Sequence, residues 1–378
     1  MKAVGPEIRF GGELAAAIDG QSQKALLVCS ARSKASPTAR DLRTLWGDRL
    51  AVGPSVRSHT PLEDVHALLA HIRELRPDLL VALGGGSVID AAKIGGAYGL
   101  HGELDIEAPA RPSESQIPVL AIPTTFAAAE NTKVVGVSVG PAKAILRGPW
   151  FAVETAVYVL SAFRDVPRAV LRDSGVNGFV HAVECAYSRA ANPISDALSR
   201  AAAATFWQSL PKWWGGRDEL LEAMVRAGIQ AGFALRDVGV GLVHALGHVL
   251  GVRFGMSHGV SNAAALLPGM AVNLEDSRAL RIVSEALSLP AEKAAVMRAM
   301  DHWLESLVLP SSLASLPADI RHLVSDLADD FTLPTNPVAV DRDDFAGAIE
   351  ILVGMKSGQF DDANQDIRSK ESHTQREA

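Results

Sequence analysis

The chain has 378 residues, 48% of them apolar, with 36 lysines and arginines against 43 aspartates and glutamates, for a net charge of −7. That length suits two domains rather than one core, and the absence of a long basic run argues against a nucleic-acid partner. No stretch approaches the roughly 18 uninterrupted apolar residues of a membrane helix, MKAVGPEIRFGG at the start lacks the apolar core of a signal peptide, and Cys29 and Cys185 form no metal-binding or redox spacing. The expectation is a soluble cytoplasmic protein, away from membranes, that acts on a small molecule.

Taken in chain order, KALLVCS (24–30) reads as a strand, a helical stretch follows, AVGPSVRS (51–58) reads as a second strand, and PLEDVHALLAHIRELR as an amphipathic helix. DLLVALGGGS runs a buried strand into a glycine turn, VIDAAKIGGAYG continues as helix, and IPVLAIPTT, KVVGVSV, KAILR and AVYVL read as further strands. Such alternation implies an α/β domain with a parallel sheet and helices on both faces. From about residue 165 the texture changes to long Ala- and Leu-rich segments at helical period, among them VPRAVLRDSGVNGFVHAVECAYSRA, DALSRAAAATFWQSL and LLEAMVRAGIQAGFAL. The expected organisation is an α/β domain over residues 1–163, an all-helical domain over 164–362 and a polar, disordered tail over 363–378.

Two regions carry chemistry. In LLVALGGGSVIDAAK, Gly84, Gly85 and Gly86 follow a strand, Ser87 opens a helix, and Asp90 lies three residues on. Missing side chains let backbone N–H groups and a helix N-terminus approach a pyrophosphate; Ser87 with Asp90 also reads as a plain capping box. AIPTT brings Thr124 and Thr125 to the same carboxyl edge, where doubly wound sheets bind ligands. In GLVHALGHVLGVRFGMSHG, His244 and His248 share a helical face and His258 follows a turn; in VNGFVHAVE, Asn177 and His181 share another face. Imidazoles converging from two helices and a turn build a metal site, although each alone reads as a hydrogen-bonded core histidine. The amide of Asn177 leaves both readings open, since Asp at that spacing would point to metal.

GGGSVIDAAK, IPTT, HAVE and HALGHVLGVRFGMSHGVSNAAALLP, in this order and spacing, resemble the iron-dependent (group III) alcohol dehydrogenase superfamily, over a span from FGGEL to Asn336 and Pro337. The resemblance implies a Rossmann-like dinucleotide-binding domain facing an all-helical domain, an architecture shared with dehydroquinate synthase, with metal and substrate in the cleft between them. It implies NAD(H) or NADP(H) held by Gly84, Gly85, Gly86, Ser87 and Asp90, with Thr124, Thr125 and Lys143 lining the site. Asn177, His181, His244 and His258 would take the four metal-ligand positions, and His248 would adjoin the nicotinamide and transfer a proton. A homodimer acting on a small carbonyl compound or alcohol goes with that resemblance.

The departures from the family pattern are as informative. Metal-using members carry Asp where this chain has Asn177, whereas the largely metal-independent maleylacetate reductase branch has Asn. PTTFAAAENT and NPISDA resemble that branch, yet Ala128 and Ala129 replace its Gly-Ser and VHALGH lacks the lysine of its HHKLCH, so groups that would hold a dicarboxylate are missing. Ser30 stands where many NAD-specific members carry Asp, so a cofactor 2′-phosphate meets no carboxylate there and Arg32 is placed to pair with it.

Three functions are in play. The first is an NAD(P)H-dependent enzyme interconverting an aldehyde or ketone with an alcohol, assisted by divalent iron or zinc on the histidines and with His248 as proton source. In its metal-independent, maleylacetate reductase-like version the imidazoles donate hydrogen bonds directly to the carbonyl. The second is a non-catalytic partner protein that retains the fold, motivated by Asn177 and the Ala127-Ala128-Ala129 run and opposed by four intact histidines. The third is a lyase resembling dehydroquinate synthase, which the motifs favour less.

Overall fold

The computed structural model describes residues 5–11, 14, 18, 24–100, 104–106, 112, 116–140, 142–308, 323, 327 and 330–357; the tail expected to be disordered lies outside them. The first part of the chain is built as β1 (Glu7–Phe10), β2 (Ala25–Cys29), α1 (Pro37–Trp46), β3 (Leu50–Ser55), α2 (Leu62–Leu75), β4 (Leu79–Gly84), α3 (Gly86–Tyr98) and β5 (Val119–Pro123). β6 (Val134–Val139), β7 (Ala142–Arg147) and β8 (Thr155–Tyr158) follow. Six strands form one sheet in the order β1-β8-β5-β4-β2-β3, with parallel pairing throughout. β2 and β4 are buried at every residue, which is why ALLVC and LLVALG read as continuous apolar runs rather than alternating ones.

Three local details differ from the sequence reading. KVVGVSV and KAILR form strands, but they pair antiparallel as a separate hairpin, Val134 opposite Arg147 and Val139 opposite Ala142. The cause is a tether to α3: Asp90 Oδ2 accepts from Gly136 N at 3.0 Å, and the buried Lys93 Nζ donates to Val134 O at 2.7 Å. Helix α3 begins at Gly86 with Gly85 as its N-cap and no side-chain cap, so Ser87 and Asp90 form no capping box. Ser87 Oγ instead accepts from His59 N at 2.9 Å. Finally EIRF, which carries little strand signal, forms the edge strand β1 by pairing with β8.

Beyond β8 and a short helix (Leu160–Arg164) every longer element among the described residues is helical: α4 (Arg168–Tyr187), α5 (Pro193–Trp214), α6 (Leu221–Val238), α7 (Leu242–Phe254), α8 (His258–Asn273), α9 (Ser277–Leu287), α10 (Lys293–Ser306) and α11 (Arg342–Ser357). Helices α4 and α8 are buried on nearly every face, so their polar residues lie inside the protein, where each needs a partner or a task. The loop after β5 docks onto this bundle through Phe126, whose N donates to Ser174 Oγ at 2.7 Å and whose ring packs on Phe163 and Phe206. Among the described residues no single helix is long and apolar enough to cross a membrane, and both cysteines are free and buried.

Candidate functional site

Adjacent parallel strands β2, β4 and β5 end side by side, so Ser30, Gly84 and Thr124 stand along one carboxyl edge. Thr124 N donates to Gly84 O at 3.1 Å. A Cβ on Gly85 would stand 2.9 Å from Thr125 Oγ1 and one on Gly84 2.7 Å from Val88 Cβ, so the turn lies too close to its neighbours for any side chain. Ser30 caps the short helix Ala31–Lys34, accepting from Ser33 N at 3.1 Å. Arg32 and Lys34 are exposed beside it, and Arg43 donates to Lys34 O at 2.9 Å.

Against this edge lies a turn the sequence did not single out. His59 and Thr60 both adopt left-handed backbone, with φ of 65° and 52°, a conformation that costs a non-glycine residue about 1–2 kcal/mol. Ser87 offsets it by accepting from His59 N and from Thr60 Oγ1 at 3.1 Å, and Ser138 of the hairpin by donating from Oγ to His59 O at 2.8 Å. The turn thereby holds His59 beside Lys143. Lys143 is exposed along its side chain, yet protein crowded around the ammonium lowers its pKa by desolvation, opposed by Asp90 and Asp330. Desolvation and the Lys143 charge lower the His59 pKa as well.

On the helical side His181 comes from α4, His244 and His248 from α7, and His258 from the first turn of α8. The His181 and His244 rings stack at 4.7 Å, and ligating atoms of His181, His244 and His258 lie within 4.8 Å of one another. Burial, then the neighbouring histidines, hold the pKa of His181 and His258 well below the ordinary value, and burial followed by His248 does so for His244. That direction favours the neutral imidazole, the form that binds metal. Behind them Glu184, one turn along α4 from His181, places Oε2 at 2.5 Å from His244 Nδ1 and Oε1 at 2.8 Å from Val243 N. Burial pushes the Glu184 carboxyl up to about 8, against the backbone N–H groups of Gly241, Val243 and His244; a cation on His244 would favour the carboxylate form, with the imidazole proton on Nδ1.

A carboxylate behind an imidazole is how ligating histidines are oriented, and His181 Nδ1 is buried with no hydrogen-bond partner. These residues fit a divalent cation. Asn177 meets the trio through a further amide: its Oδ1 accepts from Asn262 Nδ2 at 2.6 Å, and that nitrogen lies 3.2 Å from His244 Nε2 and 3.5 Å from His258 Nε2. Gly247 admits Asn262 to this position, since a Cβ there would stand 1.9 Å from its Oδ1.

His248 faces the cleft apart from the trio. Its Nδ1 lies 3.0 Å from Asp330 Oδ2, and its ring stacks on Phe331 at 5.3 Å and on His258 at 5.6 Å. Burial raises the Asp330 carboxyl, but the His248 hydrogen bond and charge, then Thr332, outweigh it and hold the pKa at about 2. The two halves meet at a cavity of about 280 Å³ lined by His59 and Lys143 on one side and His248 and His258 on the other. A larger cavity of about 850 Å³, near Phe10 and Arg226, contains none of these histidines.

With this geometry in hand, two family models match the chain: iron-containing alcohol dehydrogenase over residues 6–148 and the C-terminal part of the Fe-containing alcohol dehydrogenase family over residues 172–351. The chain belongs to the iron-containing alcohol dehydrogenase family. As a member it is 32% identical over 245 residues to a probable alcohol dehydrogenase, EutG, of Salmonella typhimurium, a match spanning 63% of this chain and 62% of that protein. It is 27% identical to a maleylacetate reductase of Burkholderia cepacia over 92% of this chain and 94% of that one. Its fold matches the iron-containing alcohol dehydrogenase of Thermococcus thioreducens with a TM-score of 0.82 at 23% identity, covering 93% of this chain and 99% of that one.

In this family member the predicted residues fall into two sets. His181, His244 and His258 converge, with His248 beside them and Asn177 one amide away. Ser30, Gly84, Gly85, Gly86, Thr124 and Thr125 share the sheet edge, while Asp90 engages Gly136 N and Lys93. Glu184, Asn262, His59, Asp330 and Phe331 were not anticipated. Glu184 alone carried a local signal, lying three residues beyond His181, on a neighbouring position of the same helix face.

Proposed function

We propose that this chain is an NAD(P)H-dependent oxidoreductase that interconverts an aldehyde or ketone with an alcohol. The observation that carries the reading is the one cavity lined by His59 and Lys143 from the sheet half and by His248 and His258 from the helical half. In this reading Gly84, Gly85, Gly86 and Ser87 hold the cofactor pyrophosphate at the start of α3, with Thr124 and Thr125 beside it and Lys143 toward the nicotinamide. His181, His244 and His258, with the Asn177 amide, hold divalent iron or zinc. When bound, reduced nicotinamide supplies hydride and the divalent ion a positive charge for the carbonyl oxygen.

The remaining work belongs to side chains. His248 returns a proton from Nε2 to the substrate oxygen in reduction and accepts the hydroxyl proton there in oxidation. Gly247, Gly251 and Gly255 on its wall of the cavity leave room for the reacting groups. Ser30, with Arg32, Lys34 and Arg43 around the end of β2, supports a cofactor 2′-phosphate, so NADPH is used at least as well as NADH. Ala128 and Ala129 offer nothing to a second carboxylate, which favours a simple aldehyde or ketone over a dicarboxylate. A homodimer completes the proposal and is checked by light scattering. The decisive experiment follows oxidation of NADH and of NADPH against a carbonyl panel, using protein reconstituted with Fe²⁺ or Zn²⁺. Carbonyl-dependent oxidation is expected; none with either cofactor or metal would overturn the reading.

A further inference from the structure

Phe331 is an exposed aromatic, 42% accessible, in a loop more than seventy residues from the site histidines in sequence. Its neighbours explain the exposure: the His248 ring stacks on it at an interplanar angle of 27°, and Arg147, the last residue of β7, sets its guanidinium carbon 4.4 Å from the ring centroid. The residue before it, Asp330, is well shielded, its side chain 10% accessible against 17% for that of His248. The Asp330 carboxylate divides its oxygens between two tasks. Oδ1 accepts from Thr332 N at 2.9 Å and from Thr332 Oγ1 at 2.6 Å, while Oδ2 meets His248 Nδ1 at 3.0 Å.

We infer that Asp330 and Phe331 form a positioning pair that fixes the ring plane and the tautomer of His248. A carboxylate has only acceptors, so the neutral ring keeps its proton on Nδ1 and leaves the Nε2 lone pair for the cavity. Phe331 and His258, stacked on the same imidazole, restrict its rotation. Arg147 ties the Phe331 platform to the hairpin that carries Lys143, so ring orientation and cofactor side are linked across the cleft. Neither residue is among those that line the cavity of about 280 Å³. The catalytic consequence rests on the proposed proton transfer by His248; the structural one does not.

The division of the Asp330 oxygens makes the amide variant informative. In Asp330→Asn the two Thr332 donors retain the amide oxygen, which turns the NH₂ toward His248 Nδ1. The neutral imidazole must then move its proton to Nε2 and lose its acceptor on the cavity side. ¹⁵N-histidine spectra of the full-length protein at alkaline pH, with the His248 signals assigned by His248→Gln, read this directly and without turnover. The expected result is an Nδ1–H tautomer in the parent and in Asp330→Glu, and an Nε2–H tautomer in Asp330→Asn. The same tautomer in the parent and Asp330→Asn would overturn the inference, whatever the enzyme assays show.

Kinetics supply the second arm. Asp330→Asn and Phe331→Leu should lower kcat for alcohol oxidation, the direction in which Nε2 accepts the proton, by about 10–100-fold while leaving KM for the alcohol, Kd for the oxidised cofactor and metal content within about threefold. Asp330→Glu should recover part of the loss. A fall shared equally by cofactor binding and kcat would mark a merely structural role and refute the positioning claim. A parent protein that turns over no carbonyl while showing the tautomer switch would sink the reductase reading and leave the imidazole geometry standing.

Discussion

Glu184→Gln removes the carboxylate behind the histidine trio with almost no change of volume. With a cation on His244, the parent carboxylate would accept from Val243 N, 2.8 Å from Oε1, and from His244 Nδ1, 2.5 Å from Oε2. Glutamine has one acceptor oxygen. If that oxygen stays with the backbone N–H, its NH₂ faces Nδ1 and forces the imidazole proton onto Nε2, the nitrogen directed at Asn262 and the trio. His244 then ligates only after releasing that proton. Loss of an orienting carboxylate weakens metal sites about 10–100-fold, roughly 1.4–2.7 kcal/mol. Because the substituted amide remains hydrogen-bonded and isosteric, the urea midpoint should move little. The assay is competition for Zn²⁺ or Co²⁺ between apoprotein and a chelator of known affinity, on parent and variant. An unchanged metal affinity would refute the account of Glu184, and with it the assignment of His244 as a ligand.

Asn177→Asp keeps the Asn262 hydrogen bond and adds a negative charge, so metal should bind at least about tenfold more tightly by the same competition assay. Lys93→Met removes the buried ammonium's bonds to Ala129 O and Val134 O and leaves only Thr132 to serve them, and urea unfolding should show a loss of about 1–3 kcal/mol. Arg32→Ala should raise KM for NADPH about three- to fivefold and leave KM for NADH alone, as expected for an exposed ion pair with a phosphate. Asp330 is held at about 2, below its ordinary 3.8. The stability it contributes is therefore fully present above about pH 3.8 and lost as pH falls through 2, so Asp330→Asn should flatten acid unfolding in that window.

What could be read from sequence was whatever has a local period. β2, β4 and β5 announced themselves as short apolar runs with turn residues at their ends, and α4 through α8 as long segments at helical spacing. The metal-type trio was legible because His244 with its neighbours and Asn177 with His181 repeat at one helical turn. Position in the sheet was not: β6 and β7 have ordinary strand composition, and contacts to Asp90 and Lys93, some forty residues away, and to His59 and Thr60 hold them out as a hairpin. The residues that refine the site were hidden for the same reason. Asp330 reaches His248 across 82 positions, Asn262 reaches Asn177 across 85, and His59 enters the cleft through a strained turn that no composition rule marks. Glu184 was visible in HAVE, yet its partner is His244, 60 residues on.

Catalysis at this site requires a nicotinamide ring to reach between the sheet edge and the histidines. Proton relaxation of bound NADPH tests this directly, with one equivalent of paramagnetic Co²⁺ titrated onto the protein and diamagnetic Zn²⁺ as reference. Nicotinamide ring protons should be broadened far more than adenine protons. Equal broadening of both ends, or none at either, would contradict a shared cleft.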